Sequence, residues 1–143
     1  MKQKVLVLCT ANSARSQMAE GLLRQLGGDR FDVLSAGTRP ASVRPEAISV
    51  MRELGIDISG HRSKGVDEFN GQTFDYVITV CDDANESCPT FPGPAKRIHW
   101  GFRDPATVAG SQVDRELAFR EVRDEIAERL GEFVRSQDPA RLK

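Results

Sequence analysis

The sequence predicts an α/β fold of three layers, in which helices flank a central four-stranded parallel sheet. Short apolar runs, typical of buried parallel strands, alternate along the chain with stretches whose apolar residues recur at helical spacing. The first run is 5–8, and Met18, Leu22 and Leu26 mark the apolar face of the helix that follows. Strands that alternate with helices favour βαβ units, and these units build a parallel sheet.

The later elements continue this alternation. Gly27 and Gly28 are expected to end the first helix and Gly55 the second, because glycine is common just past a helix end. Pro45 suits the first position of the second helix, whose apolar face ends at Leu54. The elements are, in order, strand 31–36, loop 38–44, helix 45–54, a short helix near 66–69, strand 74–80, a polar segment 82–87 compatible with a short helix, strand 97–100 and a long helix from 114. The inner side of that last helix is predicted to carry Leu117, Val122, Ile126, Leu130 and Phe133.

The composition narrows the class of protein. With 143 residues the chain fits one domain, 1–143, that can build a core without disulfides. A formal net charge of −1 and the lack of any long apolar stretch favour neither nucleic acid nor a membrane as partner. Without a recognisable secretory signal, the three cysteines are expected to be thiols in the reducing cytoplasm. Their spacing is not that of a zinc site, so no metal or cofactor is predicted, and a monomer is expected.

The turn between the first strand and the first helix carries a candidate active site. We call it the oxyanion loop, residues 9–16, which reads Cys9-Thr10-Ala11-Asn12-Ser13-Ala14-Arg15-Ser16. Its backbone N–H groups can converge on an anion, and the following helix adds its positive end. The guanidinium of Arg15 can bind two oxyanion oxygens at once. The same positive field is expected to stabilise the reactive thiolate of Cys9, to which Ser16 can donate a hydrogen bond.

Cys81 and Cys88 offer a second kind of thiol chemistry. Cys81 directly follows the third predicted strand, and Cys88 comes seven positions later. A reaction through a covalent cysteine intermediate needs one thiol, whereas a reduction must deliver two electrons, which a pair of thiols supplies. A helix would separate the two Cα atoms by ~10 Å, but a disulfide needs them within roughly 7 Å. A helical segment between them must therefore unwind before the bridge can close.

A carboxylate completes the set of candidate residues. Asp104 precedes Pro105 in a loop that follows the fourth predicted strand. Sites in open parallel sheets lie beyond the carboxyl ends of the strands. Because Cys9, Cys81 and Asp104 each follow a strand, we expect their side chains to meet at one edge of the sheet.

The oxyanion loop resembles the signature of the low-molecular-weight protein tyrosine phosphatases, and the run 12–21 resembles the arsenate reductases built on that fold. The similarity spans nearly the whole chain, through Ser35-Ala36-Gly37, Pro45-Glu46-Ala47, Ile56-Asp57-Ile58-Ser59, Cys81-Asp82-Asp83-Ala84 with Cys88-Pro89, and His99-Trp100-Gly101-Phe102 with Asp104-Pro105. The resemblance implies a phosphatase-like fold and a cytoplasmic arsenate reductase that contributes to arsenic detoxification. It also implies thioredoxin as reductant, phosphate or sulfate as competing oxyanions, and weak phosphatase activity.

The resemblance further implies a role for each candidate residue. Cys9 would attack arsenic while Asp104, as general acid, protonates the departing oxygen. Cys81 would then attack the sulfur of Cys9 and release arsenite. Cys88 would finally take over the oxidation as a Cys81–Cys88 disulfide, which thioredoxin reduces.

Lys64 marks a departure from part of this family. Some relatives bind potassium at positions that match Asn12, Glu20 and Ser35, together with an aspartate. Here the corresponding segment is His61-Arg62-Ser63-Lys64, with Lys64 in place of the aspartate. Its ammonium is expected to substitute for the cation, so that Lys64, Asn12 and Ser16 support the oxyanion loop. A solvated surface lysine is the alternative.

Two other functions compete with the reductase. A tyrosine phosphatase would need aromatic walls, and its relatives carry tyrosine after the Asp-Pro pair, where this chain has Ala106 and Thr107. A non-catalytic sensor of oxyanions or redox state could use the same thiols. Turnover distinguishes an enzyme from a sensor, which would bind arsenate and stop.

Overall fold

The structure is a computed structural model and describes residues 2–81 and 95–136. Cys88 and the proposed short helix in 82–87 lie outside the described residues. The strands are β1 Gln3–Cys9, β2 Phe31–Gly37, β3 Tyr76–Thr79 and β4 Lys96–His99. The helices are α1 Arg15–Gly27, α2 Pro45–Arg52 and α3 Gln112–Ser136, with short 3-10 turns at Gly28–Arg30, Val66–Phe69 and Pro105–Thr107.

The four strands form one parallel sheet in the order β2-β1-β3-β4. Its register aligns the carboxyl ends: Cys9 lies opposite Gly37, Leu8 opposite Thr79, and Thr79 opposite His99. Together with the flanking helices, this confirms the predicted α/β class. The alignment also places the segments that follow β1, β3 and β4 at the same edge.

The core lies on both faces of the central strand. Val5, Leu6, Val7 and Leu8 point alternately to opposite faces, and each is fully buried. Helices α1 and α2 both contact α3. The buried Arg123 of α3 donates to the backbone carbonyl of Val50 in α2 at 2.8 Å. Burial on both faces holds β1 rigidly, and β1 in turn fixes the start of the oxyanion loop.

Three predicted core positions were wrong. Leu26, Leu54 and Leu117 are 44%, 41% and 48% exposed. Leu26 lies in the last turn of α1, next to the exposed Arg24 and Gln25, and Leu54 lies past the end of α2. Leu117 is nine positions before the buried Ile126, and at about 100° per residue it falls on the opposite face of α3. Phe119 is buried on that inner face instead.

Across the described ranges 2–81 and 95–136, none of the helices has the length and apolar character needed to cross a membrane.

Candidate active site

The oxyanion loop turns sharply between β1 and α1. Asn12 adopts a left-handed backbone conformation with φ of 50°, and α1 begins at Arg15 without a side-chain cap at Ala14. The end of β2 approaches the loop closely at Gly37. A Cβ atom added there would lie 2.5 Å from the Thr10 carbonyl oxygen, so only glycine fits without displacing the backbone.

The loop surrounds a small cavity of about 210 Å³ at the carboxyl edge of the sheet. Its walls come from the oxyanion loop and from the segment after β4, and the lining residues are Cys9, Thr10, Ala11, Ser13, Ala14, Arg15 and Asp104. Within the described chain, the backbone N–H groups of 11–14 donate to no protein acceptor. These donors remain available to an anion, which is the arrangement that favours oxyanion binding.

Arg15 and Asp104 face each other across the mouth of this cavity. The Arg15 guanidinium donates to the Phe102 carbonyl at 2.9 Å, and its other terminal nitrogen lies 3.7 Å from Asp104 Oδ2. Asp104 Oδ1 accepts a hydrogen bond from the Ala106 N–H at 2.9 Å. The side chain of Arg15 is 11% exposed and that of Asp104 39% exposed, so the carboxyl group remains accessible from solvent.

Cys81 lies next to the nucleophile position. It is 4% exposed and its sulfur is 3.2 Å from the Thr10 hydroxyl, while Cys9 is 3% exposed. A hydrogen bond with the Cys81 thiol, reinforced by burial, raises the pKa of the Cys9 thiol far above its ordinary value. The Arg15 charge lowers this pKa but does not outweigh the other two effects. The Cys81 thiol thus opposes the effect of the Arg15 charge, which favours a thiolate at Cys9.

A buried network of polar side chains, centred on Asn12, holds the oxyanion loop in place. Asn12 Nδ2 donates to the hydroxyl oxygens of Ser16 and Ser35, at 2.8 and 3.0 Å. Its Oδ1 accepts from Gln17 Nε2 and from the Lys64 N–H, each at 2.9 Å. Among the described residues Ser16 makes no hydrogen bond to Cys9, contrary to expectation. Its hydroxyl belongs to the support network instead.

The Lys64 side chain reaches the same network. Its ammonium lies 3.9 Å from Glu20 Oε1, and Glu20 is 3% exposed and accepts a hydrogen bond from the Ser35 hydroxyl at 2.6 Å. Lys64 also donates to the Arg62 carbonyl at 3.1 Å. Burial lowers the pKa of Lys64, while the Glu20 carboxylate acts in the opposite direction. In the parts of the chain described here, no cluster of three or more histidine, cysteine or acidic side chains is arranged to hold a metal ion.

Two residues of this architecture were not among the predicted site residues. Gln17 is fully buried and donates to both Asn12 and the Arg62 carbonyl. Ser63 donates to the Ala11 carbonyl. The sequence gave only a weak indication that Gln17 is part of the site, namely a polar residue next to the apolar Met18 in a predicted helix. The sequence gave no such indication for Ser63, because its partner Ala11 is 52 positions away in the chain.

Comparison with known proteins places this fold and site in a family. The family of low molecular weight phosphotyrosine protein phosphatases matches residues 4–142. An arsenate reductase of Bacillus subtilis is 45% identical over 135 residues, which are 94% of this chain and 97% of that protein. A solved arsenate reductase in the phosphate binding state has a TM-score of 0.76 at 35% identity, over 95% of this chain and 98% of that chain.

A thioredoxin-dependent arsenate reductase of Corynebacterium glutamicum has a TM-score of 0.72 at 30% identity, over 94% of this chain and 61% of that chain. The chain therefore belongs to the low molecular weight phosphotyrosine protein phosphatase family, and within that family to its arsenate reductases. The resemblance noted in the sequence is confirmed.

Proposed function

We propose that the protein reduces arsenate to arsenite in the cytoplasm, as a monomeric single domain that contributes to arsenic detoxification. The observation that carries this proposal is the contact between Cys9 and Cys81 at an oxyanion-binding loop. Hydrolysis of a phosphate ester requires one thiol, whereas reduction of arsenate requires two thiols to supply two electrons. A second buried thiol in contact with Cys9 therefore favours the reductase. The names of the relatives support the same substrate.

The first step is binding and covalent attack. Arsenate occupies the cavity, held by the N–H groups of 11–14 and by the Arg15 guanidinium. The Cys9 thiolate attacks arsenic and displaces one oxygen, which leaves as water after Asp104 donates a proton. Arsenic is still pentavalent and is now bonded to the sulfur of Cys9. Asp104 suits the role of acid because it lines the cavity that holds the oxyanion and is open to solvent, from which it can regain a proton.

The second step moves the electrons. Cys81, deprotonated, attacks the sulfur of Cys9, and the sulfur–arsenic bond breaks with its electron pair passing to arsenic. Arsenic leaves as trivalent arsenite, and the two sulfurs form a Cys9–Cys81 disulfide. The Thr10 hydroxyl, at 3.2 Å from the Cys81 sulfur, is placed to stabilise a thiolate there by donating a hydrogen bond.

The third step restores Cys9. A Cys88 thiolate attacks Cys81, releases Cys9 as a thiol and leaves a Cys81–Cys88 disulfide. Thioredoxin is the proposed reductant of that bridge, in keeping with the name of the Corynebacterium relative. A dithiol reductant returns both cysteines to thiols and is itself oxidised.

One coupled assay tests the proposed function. Arsenate is added to the protein with thioredoxin, thioredoxin reductase and NADPH, and aryl-phosphate hydrolysis is followed in parallel. We expect sustained arsenate-dependent NADPH consumption and only weak hydrolysis, since phosphate and arsenate share shape and charge. Rapid hydrolysis without arsenate turnover would show a phosphatase. A single stoichiometric response would indicate a sensor.

Asp104 provides a direct test of the acid step. Changing Asp104 to Asn removes the proton donor, so the chemical step should slow by roughly 10²–10⁴-fold. Phosphate binding, measured by calorimetry, should change much less, because Arg15 and the loop amides are retained. Asp67→Asn, at an exposed carboxylate of the 66–69 turn, is the matched control. Equal activity of Asp104→Asn and the unmodified protein across pH would show that Asp104 acts only as a turn residue.

We also propose that the Lys64 ammonium takes the place of a potassium ion beside Glu20. Replacing sodium by potassium at constant ionic strength should then leave both activity and melting temperature almost unchanged. Lys64→Asp should create a potassium dependence, because it adds a carboxylate beside Glu20 and removes the ammonium. Lys2→Asp, at the exposed start of the chain, controls for the change in net charge. Strong stabilisation of the unmodified protein by potassium would refute this substitution.

A further inference from the structure

The oxyanion loop is held from outside by its carbonyl groups. Every backbone carbonyl from Cys9 to Ala14 accepts a hydrogen bond from a group outside the cavity. The donors are the N–H of Thr38 to Cys9, Arg39 to Thr10, Ala41 to Ala11, Arg44 to Ser13 and Met18 to Ala14, with Gln17 Nε2 to Asn12. Because a carbonyl and the next N–H belong to one planar peptide unit, fixing the carbonyls outward aims those N–H groups inward.

Most of these donors come from one segment. Residues 38–44, which we call the collar, connect β2 to α2 and follow the outer side of the loop. Four collar N–H groups reach loop carbonyls, at 3.2, 2.8, 3.1 and 2.8 Å for Thr38, Arg39, Ala41 and Arg44. The collar thus contacts these loop carbonyls through its backbone N–H groups.

Ser63 joins the collar to the loop. Its hydroxyl donates to the Ala11 carbonyl at 2.7 Å and accepts from the Ala41 N–H at 2.9 Å. Among the hydrogen bonds of the described residues, the Ala11 carbonyl alone in the loop accepts two, from Ser63 and from the Ala41 N–H, and the bond from Ala41 is long at 3.1 Å. Ser63 is half-buried, and it directly precedes Lys64, whose N–H binds Asn12 Oδ1.

We propose that Ser63 is a positioning residue for oxyanion binding. Its hydroxyl fixes the peptide unit between Ala11 and Asn12, so that the Asn12 N–H is directed away from the collar, toward the inner side of the loop. It touches neither the substrate nor the reacting atoms. This inference rests on the proposed function only in that the oxyanion bound during turnover is arsenate. Binding of inorganic phosphate to the loop tests it without any redox chemistry.

The test compares inorganic phosphate binding by calorimetry in four full-length proteins. Ser63→Ala should weaken phosphate binding by about tenfold, near the ~1.4 kcal/mol typical of one lost hydrogen bond. Ser63→Thr keeps the hydroxyl and should stay close to the unmodified protein. Ser42→Ala is the matched control, since Ser42 is an exposed collar residue whose hydroxyl has no partner within the described ranges. In arsenate turnover, Ser63→Ala should raise KM more than it lowers kcat.

A merely structural role would give a different pattern. Ser63→Ala would then lower the melting temperature while phosphate affinity stayed equal to that of the Ser42→Ala control, and that result would overturn the inference. If Ser63→Ala does not fold, Ser63→Val against Ser63→Thr makes the same comparison at equal side-chain size. Normal arsenate turnover with unchanged phosphate affinity in Ser63→Ala overturns this inference alone. The proposed function alone is overturned if the unmodified protein does not turn over arsenate while Ser63→Ala still binds phosphate more weakly than the unmodified protein.

Discussion

Cys9→Ser is expected to abolish both arsenate reduction and aryl-phosphate hydrolysis, because both reactions need the same thiolate. A serine hydroxyl is a far weaker nucleophile near neutral pH, and no other described thiol lines the cavity. The loss should be on the order of 10⁴-fold or more, the scale seen when a covalent nucleophile is removed. Steady-state rates with each substrate measure it.

Measuring phosphate binding distinguishes loss of the chemical step from loss of the binding site. The Cys9→Ser protein retains Arg15 and the loop amides, so it should still bind inorganic phosphate and remain folded. Cys88→Ser is the matched control, since it also removes one thiol but should keep the phosphatase reaction. Hydrolysis by Cys9→Ser at the unmodified rate would contradict a shared nucleophile.

Cys81→Ala should eliminate arsenate turnover while leaving phosphate-ester hydrolysis in place. Water can release a phosphate from Cys9, but arsenite can leave only when a second thiol attacks the sulfur of Cys9. The same change should lower the pKa of Cys9, because the hydrogen bond with Cys81 is the largest influence that raises it. Alkylation of Cys9 by iodoacetamide should therefore become faster at neutral pH.

The pH profile gives this prediction a second readout. A raised pKa means that the fraction of Cys9 thiolate in the unmodified protein grows as pH rises toward that pKa, so alkylation should accelerate with pH. In Cys81→Ala the same acceleration should occur at lower pH. Identical profiles for the two proteins would show that the thiols do not interact. Normal arsenate turnover by Cys81→Ala would show that Cys81 takes no part in the mechanism.

The sheet could be predicted because its signals are local. The strand 5–8 is apolar on both faces, and this is what a central parallel strand requires; the structure extends it to Gln3–Cys9. Leu26 was misplaced because periodicity identifies a helix better than it shows where the helix leaves the core, whereas Leu117 was wrongly assigned to the inner face of α3, on which Phe119 is the buried residue. Where a helix leaves the core is set by tertiary packing, and a single helical pattern does not carry that information.

The oxyanion loop could be located from Cys9, Arg15 and the strand-to-helix turn, but its electrostatics could not. The raised pKa of Cys9 depends on Cys81, which β3 delivers to the same edge from 72 positions further along the chain. The hydrogen bond of Ser63 to Ala11 likewise joins residues 52 positions apart. Such contacts follow from strand order and register, so they become visible only when the chain is folded.

The central claim is that arsenic receives its electrons from Cys9 and Cys81. The most direct measurement is peptide mapping by mass spectrometry of Cys88→Ser protein after exposure to arsenate without thioredoxin. We predict about one arsenite released per protein and a Cys9–Cys81 disulfide, since the third thiol is missing and the first disulfide is trapped. The unmodified protein treated in the same way should carry Cys81–Cys88 instead. Arsenite release from Cys88→Ser with Cys9 and Cys81 both still reduced would contradict the account.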